Sequence, residues 1–391
     1  MAKNKLGIYV QVPFCQTKCT YCNFHTGVVS AGRFAPYAEA VSREIRGHRD
    51  FCRAAGVELP AGFEKAVVDT VYFGGGTPSL LEPELLQEMM GAIREIFATE
   101  LSEVTLEADP ETIDAEKAEA WVRAGINRVS FGLQSFSDKE LRAAGRMHRR
   151  ADVYRAVPLL RQAGIRNISF DLIAGLARQT RESWKESLEQ LRALEPEHVS
   201  VYLLEVDEGS RLGKELLAGG ARYSAGAVPT DDEMADSYEK ACEFLGEAGY
   251  HHYEISNWAK PGFESQHNLK YWRRMPYLGF GAGAHSFSGT ARWANAHDSA
   301  NYANAMVAGR LPVEQHEVVT ASAALEEELF LGLRQLDGID VGRIEREYKV
   351  SLGERFGPLE VAGLVQRDGD VIRLVPTRLS VSNEVFVELM R

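Results

Sequence analysis

No run of about 18 consecutive apolar residues occurs in this chain of 391 residues, so the sequence offers no membrane-spanning helix. Its start, Met1-Ala-Lys-Asn-Lys5 followed by Leu6–Val10, has a little charge but no long apolar core. A secretory leader needs that core, so the expected compartment is the cytoplasm. Positive charge is also in deficit: 44 Lys and Arg stand against 56 Asp and Glu, a formal net charge of −12. Broad nucleic-acid binding rests on cations that neutralise phosphates, so no nucleic-acid partner is expected. Cysteine is scarce and odd in number, with five residues. Three are bunched, while Cys52 and Cys242 stand alone. This is not a disulfide framework, and the isolated pair read as inert core or helix-face residues.

What is present is an alternation of strand and helix. An apolar fraction of 45% and this length allow one large α/β domain and a smaller one. Gly7–Val12 reads as the first strand, and Pro36–Cys52 as an amphipathic helix with Tyr37, Val41 and Ile45 at i, i+4 spacing. Ala66–Phe73 is the second strand and runs into Gly74-Gly75-Gly76-Thr77-Pro78. Pro83 opens the next helix, and Glu103–Ala108 is a strand closed by Asp109-Pro110. Ala124–Phe131 and Ala163–Phe170 resemble each other, each a glycine ending a helix and then a buried strand. Ala248-Gly249-Tyr250 opens a weaker copy. Ser137–Glu140 has the form of a helix-start capping box, Thr180–Leu194 is another amphipathic helix, and His198–Leu204 is a sixth strand.

Such alternation means parallel strands joined by right-handed crossovers. The expected fold is α/β, an incomplete (β/α)6 TIM-like barrel, with a doubly wound sheet as the alternative. Both place ligands at the carboxyl ends of the strands. Residues 208–230 read as loop, Asp232–Gly249 as helix and Ser256–Ala300 as irregular. From about Thr320 a smaller unit follows, with helices over Ala323–Gln335, after Asp340 and over Gly353–Ala362. A hairpin in Gly363–Val375, turning at Asp368-Gly369, makes it winged-helix-like.

Chemistry concentrates in the loop after the first strand, where Cys15, Cys19 and Cys22 lie together. Thiolates bunched this closely repel one another unless a metal or cluster binds them. His25 could complete a zinc site of three cysteines and one histidine. A redox pair would leave Cys15 unexplained. An iron–sulfur cluster on three cysteines would keep one iron open, and a loop on the rim of a large α/β core favours the cluster. Other strand ends carry polar groups: the Gly74–Thr77 run, Glu107, Gln134 and Asp171. Each alone is better read as a turn or a solvated residue; their joint place on one rim points to a shared polar ligand. Arg146, with Met147-His148, falls in a loop or helix end with no assigned geometry.

The spacing Cys-x-x-x-Cys-x-x-Cys with Tyr21 before the third cysteine resembles the signature of radical S-adenosylmethionine (SAM) proteins. That resemblance implies a 4Fe–4S cluster whose open iron is chelated by the amino and carboxylate groups of SAM, and one-electron cleavage of SAM to a 5′-deoxyadenosyl radical. More narrowly, Tyr9 with Pro13-Phe14-Cys15, Phe73–Pro78, Leu106–Pro110, Gly132–Phe136 and Asp171–Leu176 look like the oxygen-independent coproporphyrinogen III oxidase group. The similarity spans nearly the whole chain, through Ser382–Val385, although Thr377–Ser380 lacks an expected glycine. By this resemblance Tyr9, Tyr21, Gly75, Gly76, Thr77, Glu107, Gln134, Arg146 and Asp171 contact SAM, and Cys15, Cys19 and Cys22 bind the cluster.

Within that group the true oxidase has a longer amino-terminal segment and a further cysteine where this chain has Phe24. His267-Asn268-Leu269-Lys270-Tyr271-Trp272 instead resembles a His-Asn-x-x-Tyr-Trp motif of the branch regarded as heme chaperones. If heme binds, His267 is the candidate axial ligand, Asn268 orients its ring, and Tyr271 and Trp272 pack or orient the porphyrin. His285 is a second candidate, with a structural role favoured. The implied function is delivery of heme to acceptor hemoproteins, membrane respiratory enzymes among them, with no catalytic residue assigned. The alternative is radical decarboxylation of coproporphyrinogen III. An electron donor such as flavodoxin or ferredoxin and a homodimer complete the expected partners. The expected division is a radical SAM core over 1–235, a connecting segment over 236–315 and a C-terminal domain, like the oxidase's, over 316–391.

Overall fold

The computed structural model of the protein describes residues 5–389. Met1–Asn4, on which part of the leader argument rests, lie outside them. The first half alternates as the sequence implies: β1 (Lys5–Val12), α1 (Phe34–Ala54), β2 (Val67–Gly75), α2 (Pro83–Ile96), β3 (Ala98–Ala108), α3 (Ala115–Ala124) and β4 (Arg128–Gln134). It continues through α4 (Asp138–Ala144), α5 (Arg150–Ala163), β5 (Asn167–Ala174), α6 (Arg181–Leu194) and β6 (His198–Leu203). Strands β1 to β6 pair in order and in parallel, and β1 does not pair with β6. This is the open six-unit barrel. Gly125 and Gly164 close α3 and α5 in the left-handed conformation, at φ of 101° and 105°, where a side chain would be strained.

Each of these strands has two different faces. Leu6, Ile8 and Val10 of β1 pack with Val41 and Ile45 of α1 in one apolar core that also takes Val129, Phe131, Phe170 and Val199. Alternate residues face the other way and are polar: Tyr9, Thr70, Tyr72, Thr105, Glu107, Arg128, Ser130, Ser169, Asp171, His198 and Ser200. A parallel sheet covered by helices on both faces is apolar on both. One polar face here is the inner wall of the half-barrel.

The second half corrects several sequence readings. The stretch 208–230 is not all loop: Ser210 Oγ accepts from Gly213 N at 2.9 Å and starts α7 (Arg211–Leu217). After α8 (Asp231–Glu247), the segment read as irregular holds β7 (His251–Glu254), β8 (Asn257–Ala259), α9 (Gln266–Trp272), β9 (Tyr277–Phe280), β10 (His285–Phe287) and β11 (Ala291–Asn295). Strands of three to five residues are too short to show a period. With α10 (Ser299–Val307) and β12 (Val313–Val318) they extend the sheet at both edges. Among the described residues it has twelve strands in the order β12-β11-β10-β9-β1-β2-β3-β4-β5-β6-β8-β7.

The capping box at Ser137 does not form: its side chain caps nothing, and buried Glu140 accepts instead from Ser135 Oγ at 2.7 Å and Gln179 Nε2 at 3.3 Å. The C-terminal unit is α11 (Ala321–Leu333), β13 (Ile339–Asp340), α12 (Val341–Tyr348), α13 (Gly353–Val361), the hairpin β14 (Val365–Asp368) and β15 (Val371–Leu374), and α14 (Ser382–Leu389). It is tied to the barrel by Glu327, which pairs with Arg274 and Arg292, and by Arg334, which pairs with buried Glu254. Among the described residues no helix is long and apolar enough to cross a membrane.

Candidate functional site

The carboxyl ends of the strands open on a cavity of about 620 Å3. Cys15, Cys19 and Cys22 line it from the loop after β1, with Tyr21 between them. That loop is fixed by backbone bonds rather than by regular structure. Cys15 N donates to Gly27 O at 3.0 Å, Gly27 N to Pro13 O at 2.9 Å, and Thr20 N to Ala144 O at 3.0 Å. Leu212 N, in the first turn of α7, donates back to Thr20 O at 2.8 Å. All five cysteines are free thiols.

The glycine run explains itself geometrically. Gly75 has φ of 113°, and a Cβ there would lie 2.5 Å from Gln11 Nε2. A Cβ on Gly76 would lie 2.4 Å from the Phe14 carbonyl oxygen, a backbone atom that cannot swing away. Gly76 N and Thr77 N donate to Val12 O and Phe14 O at 2.8 and 2.7 Å. The run is thus welded to the cysteine loop, and its remaining surface is bare backbone beside the cavity.

Two carboxylates form the polar wall. Glu107 accepts from Tyr72 Oη at 2.8 Å and Gly75 N at 2.9 Å. Burial pushes its pKa up to about 7, partly offset by those two bonds. Asp171 is raised by burial as well, and Ser200 and Ser130 hydrogen-bond it. Neither is in an ion pair among the described residues. A cationic group of a ligand would satisfy both. Arg146 reaches across: Nη2 donates to Gly132 O at 2.6 Å and pairs with Asp109, while Nη1 donates to Cys19 Sγ at 3.4 Å. Gln134 carries positive φ, 66°, at the end of β4, a conformation uncommon outside glycine.

These residues fit the group that the cysteine spacing implies. Arg146 puts a fixed positive charge beside one of the three thiols, Cys19. Among the described residues no three His, Cys, Asp or Glu side chains converge as the ligands of one metal ion do. His25 does not join the three cysteines: its ring stacks on His297, with centroids 4.0 Å apart, and it is absent from the cavity wall that Phe24 and Thr26 line.

Eleven of the residues named from sequence therefore meet at one cavity: the three cysteines, Tyr21, Gly75, Gly76, Thr77, Glu107, Gln134, Arg146 and Asp171. Tyr9 is one layer below, its hydroxyl donating to Gln11 Oε1 at 2.7 Å and its ring stacked on Tyr72. His267, Asn268, Tyr271 and Trp272 are elsewhere. They belong to α9, which plugs the opposite end of the half-barrel. There Gln266 N and His267 N donate to Glu103 at 3.0 and 2.9 Å, and Lys270 Nζ pairs with Asp69 at 2.6 Å.

His267 is fully buried, and both its ring nitrogens are engaged, Nδ1 with Thr70 Oγ1 and Nε2 with Tyr271 Oη, each at 2.9 Å. Burial, then Lys270 and Arg128, push its pKa down to about 3, so it is neutral. As placed, it offers no free lone pair to iron. The Trp272 ring lies under the Arg334 guanidinium at 4.4 Å. Sequence reasoning also missed residues that the cavity uses. Asp109 was read only as the end of a strand. Tyr202 ends β6, and Arg334, Ser382 and Asn383 reach the wall from the C-terminal unit. No local pattern brings that unit to the cysteine loop.

The Radical SAM superfamily profile matches residues 9–191, and the HemN C-terminal domain profile matches 319–377. The heme chaperone HemW of Bacillus subtilis (strain 168) is 34% identical to this chain over 384 residues, 97% of each. Heme chaperone HemW of Lactococcus lactis is 33% identical over 390 residues, 98% of this chain and 96% of the relative. Among solved structures, coproporphyrinogen III oxidase (HemN) from Escherichia coli, described as a radical SAM enzyme, aligns with a TM-score of 0.83. It is 22% identical, covering 99% of this chain and 90% of that one, and shows the fold.

Proposed function

We propose, for a chain that belongs to the radical SAM superfamily and within it to the HemW family, that it binds heme and hands it to acceptor hemoproteins. The observation that carries this is identity of 34% to a heme chaperone over 97% of both chains. The cofactors of the superfamily are a 4Fe–4S cluster and SAM. Cys15, Cys19 and Cys22 would hold the cluster, which supplies one electron for reductive cleavage of SAM. Gly75, Gly76 and Thr77 would take the amino-acid end of SAM against backbone, and Glu107 and Asp171 would face its cationic groups. Arg146 would set its charge beside Cys19, Gln134 would add an amide contact, and Tyr9 and Tyr21 would support the seat from below and beside.

The acceptors are proposed to include respiratory hemoproteins of the membrane, reached from the cytoplasm. The electron donor is proposed to be of the flavodoxin or ferredoxin class, and the working form a homodimer. The radical SAM core would span 1–235, with 236–315 connecting it to a C-terminal domain over 316–391.

The test is anaerobic reconstitution followed by hemin titration. Iron and sulfide in near-equal amounts, lost in Cys19→Ser, and a Soret band at about one equivalent of hemin support the reading. Zinc without sulfide, or no Soret band, refutes it.

A further inference from the structure

We propose that heme is taken at a histidine cluster beside the cysteine loop, formed by His25, His285 and His297, with His25 supplying the axial nitrogen. This rests on the heme-chaperone reading and names its site. The chain has ten histidines, and all lie among the described residues. His48, His148, His198 and His267 are buried and hydrogen-bonded. His252 is stacked on Trp258 and bonded to Ile255 O. His251 pairs with Glu264, and His316 stands alone on the edge strand β12. Only His25, His285 and His297 gather in one place with nitrogens to spare.

His25 lies three residues after Cys22 and is exposed. Its ring is stacked on that of His297, at an interplanar angle of 28°. No hydrogen bond to it is found among the described residues. His297 Nδ1 is buried without a hydrogen-bond partner, and its Nε2 stands 4.0 Å from Glu314, too far for a good bond. His285, exposed at the start of β10, is near enough to feel both. Burial, then His297, Arg292 and His25, hold its imidazole below the ordinary pKa, which favours the neutral ring with one unprotonated nitrogen.

Imidazole is a common axial ligand of heme iron, and a porphyrin also needs apolar cover. Phe24 and Val28 flank His25 in the chain and are 67% and 59% exposed. Single exposed apolar side chains are ordinary. Two that bracket an unbonded imidazole, on a loop held in place at both ends, are a surface for a flat apolar ring.

The experiment is hemin titration of the full-length, cluster-loaded protein as wild type, as His25→Ala/His285→Ala/His297→Ala, and as His267→Gln, with circular dichroism on each. The side chains at the three positions make no described hydrogen bond, and alanine keeps their backbone bonds, so the triple variant should fold. It is expected to lose the Soret band or at least tenfold in hemin affinity, while His267→Gln keeps both. His25→Ala alone is expected to shift the Soret maximum. A triple variant with unchanged spectrum and affinity overturns the proposal, and so does a folded His267→Gln that has lost the band. Loss of Zn2+ binding with an unchanged hemin spectrum also overturns it, because the cluster is then a metal-ion site. A wild-type protein without any Soret band refutes the heme-chaperone reading itself, not merely its site.

Discussion

Glu107 is held by two donors, a phenol and a backbone amide, in a wall with no cation close enough to pair. With a folded pKa of about 7 against 4.5 for an ordinary glutamate, its protonated form is favoured in the native protein. Its contribution to stability is therefore present below about pH 4.5 and lost as pH rises through 7. A cationic ligand prefers the ionised carboxylate, so SAM affinity should rise over the same range. Glu107→Gln is expected to weaken SAM binding about tenfold or more, the worth of a charged hydrogen bond, and to flatten its pH dependence between about 6 and 8. Titration calorimetry reads both. Unchanged affinity and slope would remove Glu107 from the SAM seat. His267 has the opposite sign, its pKa lowered to about 3, so its contribution is present above about pH 6.5 and lost on acidification.

Among the elements, the glycine run and α9 hold the two ends of the half-barrel. Gly76→Ala would push a Cβ into the Phe14 carbonyl and so displace the cysteine loop. Its expected outcome is a folded protein, by circular dichroism, that retains less than about half the iron of wild type after reconstitution. Full iron content would show that the run does not position the thiols. At the other end, Lys270→Met removes the partner of buried Asp69. Breaking a buried pair costs about 3–5 kcal/mol; Lys5, 3.3 Å from the second Asp69 oxygen, keeps this near the lower figure, measurable by urea unfolding. A loss under about 0.5 kcal/mol would mean that α9 is not pinned by that pair.

The six strand–helix units were legible because long apolar periods and glycine caps are local signals. So were the cysteines and the strand-end polar residues, since a parallel half-barrel brings all its carboxyl ends to one rim. The five short strands of β7 to β11 were not legible, because three to five residues are too short to show a period and only distant strands, β6 and β1, tie β8 and β9 into the sheet. The depth of His267 was missed for a related reason. A motif on a short helix says which residues share a face, not whether that face meets solvent or fills the end of a barrel. Asp109 was overlooked because Arg146, which reveals it, lies on another unit.

At the scale of the whole molecule, one cavity is built by two units of the chain. The barrel supplies the thiols, carboxylates and glycine backbone, and the C-terminal unit closes the far wall through Arg334, Ser382 and Asn383. The sheet continues past the barrel on both sides, and His297, just after β11, meets His25 of the cysteine loop. A scaffold of the radical SAM kind and a surface suited to a porphyrin thus share one loop.

The central claim is heme delivery, and transfer tests it most directly. The cluster-loaded protein is charged with one equivalent of heme and mixed anaerobically with an apo-hemoprotein acceptor, and the Soret band is followed. The account predicts that the donor spectrum decays as that of the holo-acceptor appears, with no conversion of coproporphyrinogen III when SAM and a reductant are supplied instead. Heme that never leaves the protein, together with turnover of coproporphyrinogen III, would contradict it.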